Sequence, residues 1–321
     1  MKEGMKNRFY DLPDIAKERP LVVLFGWERY GLLKMVLPRL VNAVRHIGGY
    51  LVAIDDASLD ERIAPFLRKY EEQGYVDMAF VGTKNRHIDW TTGNPGYGKQ
   101  TARRSVMLHL LAHRGAPLVI CCDADIVMQP DALEVLLEGS RVAREAGIQA
   151  SHFCGFRYNK TVWDSLRAER RNIDNFRFVL FAQNTSMALS LVPLDIARKV
   201  DREGPAWHHG KWSLNEYAER AWLTGKYHSC YLFDVMCQHV GVGFVGRTFT
   251  DVMMKEPEVA AFEEDGSLLE IKGFDVKRFY DIAFNGSYIS YERFFGFDNQ
   301  EIYPTRPIHP EFVRLKGLIN G

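Results

Sequence analysis

The stretch Val119-Ile120-Cys121-Cys122-Asp123-Ala124-Asp125-Ile126 decides how this chain is read. An apolar run of strand length ends in two carboxylates, two positions apart. A strand apolar on both sides belongs to a sheet covered by helices on both faces. Anions at the tip of such a strand need something to offset their charge. A divalent cation bound to a diphosphate does this. Mg2+ and Mn2+ take oxygen ligands, often one or two carboxylates with substrate phosphates completing the shell. By itself Asp-x-Asp is a weak signal, because aspartates also populate ordinary turns.

The surroundings of this strand strengthen it. Residues 21–25 form an apolar, β-rich run closed by Gly26-Trp27. From 29 to 47, Leu33, Val36, Leu37, Leu40, Val44 and Ile47 recur at helical spacing, with Pro38 marking a bend or restart and Gly48-Gly49 the end. A second strand, 50–54, is closed by Asp55-Asp56-Ala57-Ser58. A polar helix over 59–73, a strand over 76–81 and a helix over 99–113 follow. Another helix opens at Pro130-Asp131, after the carboxylate-tipped strand. Alternation of this kind predicts a mostly parallel sheet with helices on both faces, whose ligands bind at the carboxyl ends of the strands. Three of those ends are polar: Gly26 to Arg29, Asp55 to Ser58, and Asp123 to Asp125. The second half is less regular. Strands are expected over 150–158, 183–191 and 227–240, with a charge-rich helix over 163–178 and a short one over 213–223. The aromatic tail from Thr248 has no clear period.

Composition narrows the function classes. The 321 residues suffice for one large α/β domain or two small ones, and no linker divides them. Lys plus Arg equals Asp plus Glu at 41 each, so the whole chain carries no electrostatic footprint for nucleic acid or anionic lipid. A local basic stretch, Arg157, Lys160, Arg167, Arg170, Arg171 and Arg177, reads as a solvated helix face or as a nucleic-acid contact. No apolar run approaches a membrane span, and residues 1–20 lack the apolar core of a signal peptide. The five cysteines (121, 122, 154, 230 and 237) form no Cys-x-x-Cys pair and are expected to be reduced core thiols. The chain is thus expected to be a soluble, cytoplasmic protein.

In order along the chain stand Trp-Glu-Arg, Asp-Asp-Ala-Ser, Asn-Pro-Gly-Tyr-Gly-Lys before a helix, Asp-Ala-Asp, Asn-Glu on a helix, and Gln-His-Val-Gly. This order resembles the nucleotide-sugar-dependent glycosyltransferases of the GT-A fold, and most closely their large inverting, family-2-like group with an Asp-x-Asp motif. The resemblance runs from about Leu21 to Gly243. It implies a three-layer α/β/α, Rossmann-like GT-A domain over residues 21–247. Residues 1–20 would be an N-terminal extension, and 248–321 a C-terminal elaboration packed on the same domain.

The resemblance also implies roles. Asp55 and Asp56, with Trp27, Arg29 and Ser58, would hold the nucleoside, a carboxylate being suited to imide N–H groups and ribose hydroxyls. Asn94, Gly96, Lys99 and Arg103 would cradle the diphosphate, since glycines permit close backbone approach and a helix start offers N–H donors. Asp123 would reach the donor and the metal, and Asp125 would ligate the metal, Mn2+ or Mg2+. His239 would join them, its imidazole suiting manganese better than magnesium. Glu216 would be the base that deprotonates the acceptor hydroxyl, with Trp212 and His208 on the acceptor side. The family has an acidic pair where this chain has Asn215-Glu216, so one acid is missing. Each position also has a plain structural reading. Asp56 and Ser58 suit a helix cap. Lys99 and Arg103 suit a wet helix face, and His239 a hydrogen-bonded core position. Ser213 and Glu216 have the spacing of a capping box.

The implied activity is transfer of a sugar from a nucleoside-diphosphate sugar, UDP-linked, to a hydroxyl acceptor with inversion. Acceptor candidates are a glycan, a protein side chain, a small molecule or a modified DNA base. Two alternatives compete: a sugar-1-phosphate nucleotidyltransferase, and a nucleotide-sugar-binding protein without catalysis. Phe25-Gly26-Trp27-Glu28-Arg29 lacks the glycine-rich segment expected of the former.

Overall fold

The computed structural model describes residues 8–26, 30–55, 58, 60–81, 102–124, 126–128, 130–156, 168–181, 188–203, 214–239, 260–262 and 268–271. Its centre is a sheet with strand order β3-β2-β1-β4-β9-β6-β10-β8-β7. These strands are β1 (Leu21–Gly26), β2 (Tyr50–Asp55), β3 (Met78–Val81), β4 (Leu118–Asp123), β6 (Ala150–Phe156), β7 (Ala168–Ile173), β8 (Phe176–Phe181), β9 (Leu189–Pro193) and β10 (His228–His239). A short β5 (Ile126–Met128) pairs with the end of β10. Strands β1 to β4 are mutually parallel. Strand β9 runs against both β4 and β6, and β8 and the short β5 against β10, so the sheet is mostly parallel with three reversed members among the described residues. Strands β11 (Ala260–Phe262) and β12 (Leu268–Ile271) form a separate antiparallel pair.

Helices cover both faces because successive strand residues point to opposite sides. On one face Val22 and Leu24 pack with α2 (Tyr30–His46), α3 (Ile63–Glu72) and α5 (Ala132–Glu145). On the other, Leu21, Val23 and Phe25 pack with α1 (Arg8–Glu18), α4 (Ala102–His113), α6 (Leu194–Glu203) and α7 (Leu214–Leu223). The three-layer α/β expectation therefore holds. Helix α2 continues through Pro38, and its end is closed by Gly48 at φ 62° with Gly49 N–H donating to the Val44 carbonyl at 2.8 Å. Among the described residues, no helix is long and apolar enough to cross a membrane.

Within residues 1–20, α1 buries Leu12 and Ala16 in the core beside α4. One expectation changes. The expected helix over 163–178 is a hairpin instead, where it is described. Strands β7 and β8 pair antiparallel across Asp174-Asn175, with Asp174 at φ 53°. Asp and Asn tolerate the left-handed conformation that a two-residue hairpin turn demands. Phe176, Phe178 and Leu180 alternate into the core, which is strand periodicity. The charges of Glu169 and Arg171 lie exposed on the sheet's edge strand, where they oppose pairing with another chain.

Candidate active site

Register brings the polar strand ends together. Gly26 pairs with Asp55 across β1 and β2, and Phe25 pairs with Asp123 across β1 and β4. Three neighbouring parallel strands thus finish at one level of one sheet edge. The turn after β4 is pinned there: Ala124 N–H donates to the Phe25 carbonyl at 2.9 Å, and Asp123 N–H to the Ala188 carbonyl at 2.8 Å. The Asp123 carboxylate is half-buried, which leaves it reachable by a ligand.

Asp55 is more enclosed, at 2% exposure. Its carboxylate accepts hydrogen bonds from the N–H and the hydroxyl of Ser58, so it caps the turn that follows β2. Ser58 therefore closes this turn rather than the next helix, which starts at Ile63 with Arg62 at its N-cap position; Asp56 lies outside the described residues. Nearby, Asp60 accepts from Nε of Arg62 at 2.8 Å and from its terminal nitrogen at 2.8 Å. That side-chain hydrogen bonding holds the Asp60 carboxyl below its usual range. The same guanidinium lies 4.9 Å from the Tyr30 ring centre. This trio was not singled out in the sequence; the i,i+2 Asp-x-Arg spacing is its only local sign. Behind the strand ends, Leu24, Gly26, Leu33, Ala53, Ile54, Asp55, Ile63 and Leu67 line a cleft of about 10 Å³. Such a space takes one water.

The fourth element arrives from far along the chain. Strand β10 pairs with β5 through Cys237 with Met128, Gln238 with Val127 and His239 with Ile126. Ile126 directly follows Asp125. The backbone of His239 is thereby carried to the Asp-Ala-Asp turn across more than 110 residues of sequence. Among the described residues no group of three or more metal-ligating side chains is assembled. The side chains of Asp125 and His239 lie outside the described residues.

Other candidates divide similarly. Trp27, Arg29, Asp56, Asn94, Gly96, Lys99, His208 and Trp212 lie outside the described residues. Arg103 stands in the first turn of α4 and Glu216 in the first turn of α7; their side chains are likewise outside them. The turn holding Glu216 is anchored on the flank of the sheet: the adjacent Tyr217 hydroxyl donates to the Ser151 carbonyl, in the second residue of β6, at 2.6 Å. One turn further, the buried Arg220 holds Asp201 of α6 at 3.4 Å. In the basic stretch, the two members with described side chains are both paired, Arg171 with Glu169 and Arg177 with Asp234. Arg177 is thus not the solvated helix position expected of it. None of the five cysteines forms a disulfide, all are buried, and burial pushes the Cys230 thiol well up, as expected of inert core thiols.

No protein-family model matches the chain, and no curated protein does. Solved structures with a similar fold include S. aureus TarS, at 13% identity and TM-score 0.43 over 69% of this chain and 36% of that one. The chain therefore spans about a third of that protein's length. Another is the mannosyltransferase PcManGT from Pyrobaculum calidifontis in complex with GDP-Man and Mn2+, at 14% identity and TM-score 0.45 over 75% of this chain and 62% of that one. A third is a UDP-glucose pyrophosphorylase, at 9% identity and TM-score 0.41 over 68% of this chain and 91% of that one. At this level of identity and superposition, the likenesses decide neither donor nor reaction.

Proposed function

We infer that this protein is a metal-dependent glycosyltransferase that moves a sugar from a nucleoside-diphosphate sugar, UDP-linked, to a hydroxyl acceptor with inversion. One observation carries the reading: Asp55 and Asp123 end the two parallel strands that flank β1, and β10 returns to pair the backbone of His239 with Ile126, the residue that follows Asp125. That is the open edge at which α/β sheets bind ligands. The donor set, two carboxylates and an imidazole, suits Mn2+ better than Mg2+. When bound, the cation would offset the charge of the departing diphosphate.

The chain's own residues divide the remaining work. Asp55, Asp56 and Ser58, with Trp27 and Arg29, orient the nucleoside. Asn94, Gly96, Lys99 and Arg103 hold the diphosphate. Asp123, Asp125 and His239 hold the metal, with Asp123 also reaching the donor. Glu216 removes the acceptor proton during in-line attack, and Trp212 and His208 stand on the acceptor side. Residues 21–247 form the catalytic domain in this reading, and 248–321 an acceptor-related elaboration.

Incubation of the full chain with radiolabelled UDP-sugars and Mn2+ tests this. The expected result is sugar hydrolysis or transfer, lost by at least a hundredfold in Asp125→Ala, about 3 kcal/mol of transition-state stabilisation. Pyrophosphate-dependent UTP formation would instead identify a nucleotidyltransferase, and binding without turnover an inactive binder. A product of retained anomeric configuration would sink the base role of Glu216.

A further inference from the structure

Strand β10 changes partners midway. Its first half pairs with β6 and β8 as far as Leu232, which meets Gly155 and Phe178. The next pair with β6 is Met236 with Phe156, so β10 advances four residues while β6 advances one. That excursion is a bulge of several extra residues, a device that bends a strand and re-aims its end. Here the re-aimed end is Cys237 to His239, which pairs with β5 at the Asp-x-Asp turn.

Two features hold the excursion in shape. Asp234, within the bulge, accepts from the Arg177 backbone N–H at 2.7 Å and from its Nε at 3.0 Å. A carboxylate thus replaces the main-chain acceptor that the bulge withdraws. The pair is enclosed, with the Asp234 side chain 2% exposed and that of Arg177 14%, and the guanidinium lies 4.2 Å from the Phe233 ring centre. The second feature is Gly155. A Cβ there would meet the Cys237 sulfur at 2.9 Å, a Leu189 methyl of β9 at 3.0 Å and a Val235 methyl at 3.1 Å. A side chain at this position would push against β10 and β9 together.

We propose that Arg177, Asp234 and Gly155 are positioning residues for the metal site: they hold the β10 bulge in the shape that sets His239 against the Asp123-Ala124-Asp125 turn. This rests on the reading of that turn as a metal site. The buried ion pair and its consequence lie five residues apart on β10, at Asp234 and His239, and the two are experimentally distinct.

The test is a Mn2+ titration of the full chain, with free ion followed by electron paramagnetic resonance, in a double-mutant cycle. Supporting partners of metal sites are typically worth ten- to a hundredfold in affinity. Asp234→Asn is expected to weaken Mn2+ binding about tenfold in the native background, and to have no further effect once His239→Ala is present. Equal losses in both backgrounds, or none in either, overturn the proposal. Should Asp234→Asn fail to give a cooperative thermal transition, Gly155→Ala takes its place. It is expected to weaken Mn2+ binding, and Cys237→Ala in the same chain to restore part of it by removing the nearest of the obstructing atoms. Failure of that rescue counts against the proposal. Absence of Mn2+ binding by the unaltered chain removes the metal reading itself, and the positioning role with it.

Discussion

His152 has no exposed surface, and its Nδ1 lies 2.8 Å from the Ser151 hydroxyl. Burial drives its pKa down to about 3 from an ordinary 6.5. Above pH 6.5 the ring is neutral in both folded and unfolded chains. Below it, the unfolded chain takes up a proton that the folded chain refuses. Stability is therefore lost as pH falls from 6.5 towards 3, at up to about 1.4 kcal/mol per pH unit from this group. Urea unfolding at pH 7, 6 and 5 measures that slope, and His152→Gln should flatten it. Equal slopes in the two proteins would falsify the assignment. Single residues of this kind are hard to read from sequence. Nothing local separates the buried His152 from His46, which pairs with Glu134 on the surface. Asp55 shows the same limit, since its place in the chain suggests a ligand-binding carboxylate and its geometry also displays a cap.

Elements were legible where a period was long and unmixed. Helix α2 and strands β1, β2 and β4 follow from apolar spacing alone, because burial on one stripe or on both faces leaves a strong pattern. The β7–β8 hairpin was not, because its charges belong to an edge strand and mimic a wet helix face. Its turn signal, Asp174-Asn175, was present in the chain and outweighed by composition. Helix α5 packs closely on β10 at Gly139. A Cβ there would overlap the Leu232 side chain. Gly139→Ala is expected to cost about 1–3 kcal/mol through overpacking, despite alanine's better helix propensity. A thermal transition lowered by several degrees would bear this out; an unchanged or raised one would show that β10 yields easily there.

Over the whole molecule, the sheet joins segments that sequence order keeps apart. Helix α1 closes one face, and Leu12 is fully buried in it. Leu12→Ala is expected to destabilise the fold by about 2–5 kcal/mol, as core truncations do. A midpoint in urea shifted by less than the measurement error would mean that α1 is dispensable. The sequence by itself determined the alternating α/β plan, the two-faced burial of β1 and β4, and the polar character of three strand ends, because each follows from local period and residue type. Only the tertiary structure decided that Gly26, Asp55 and Asp123 finish level, that β9 runs backwards through the sheet, and that β10 bends to reach β5. Register and partner choice are set by packing between distant segments, and hydrophobic period carries no record of which strand a neighbour will be. The Asp-x-Asp turn was visible in a line of text, whereas its return strand, its bulge and the ion pair that holds the bulge exist only once the chain has closed on itself.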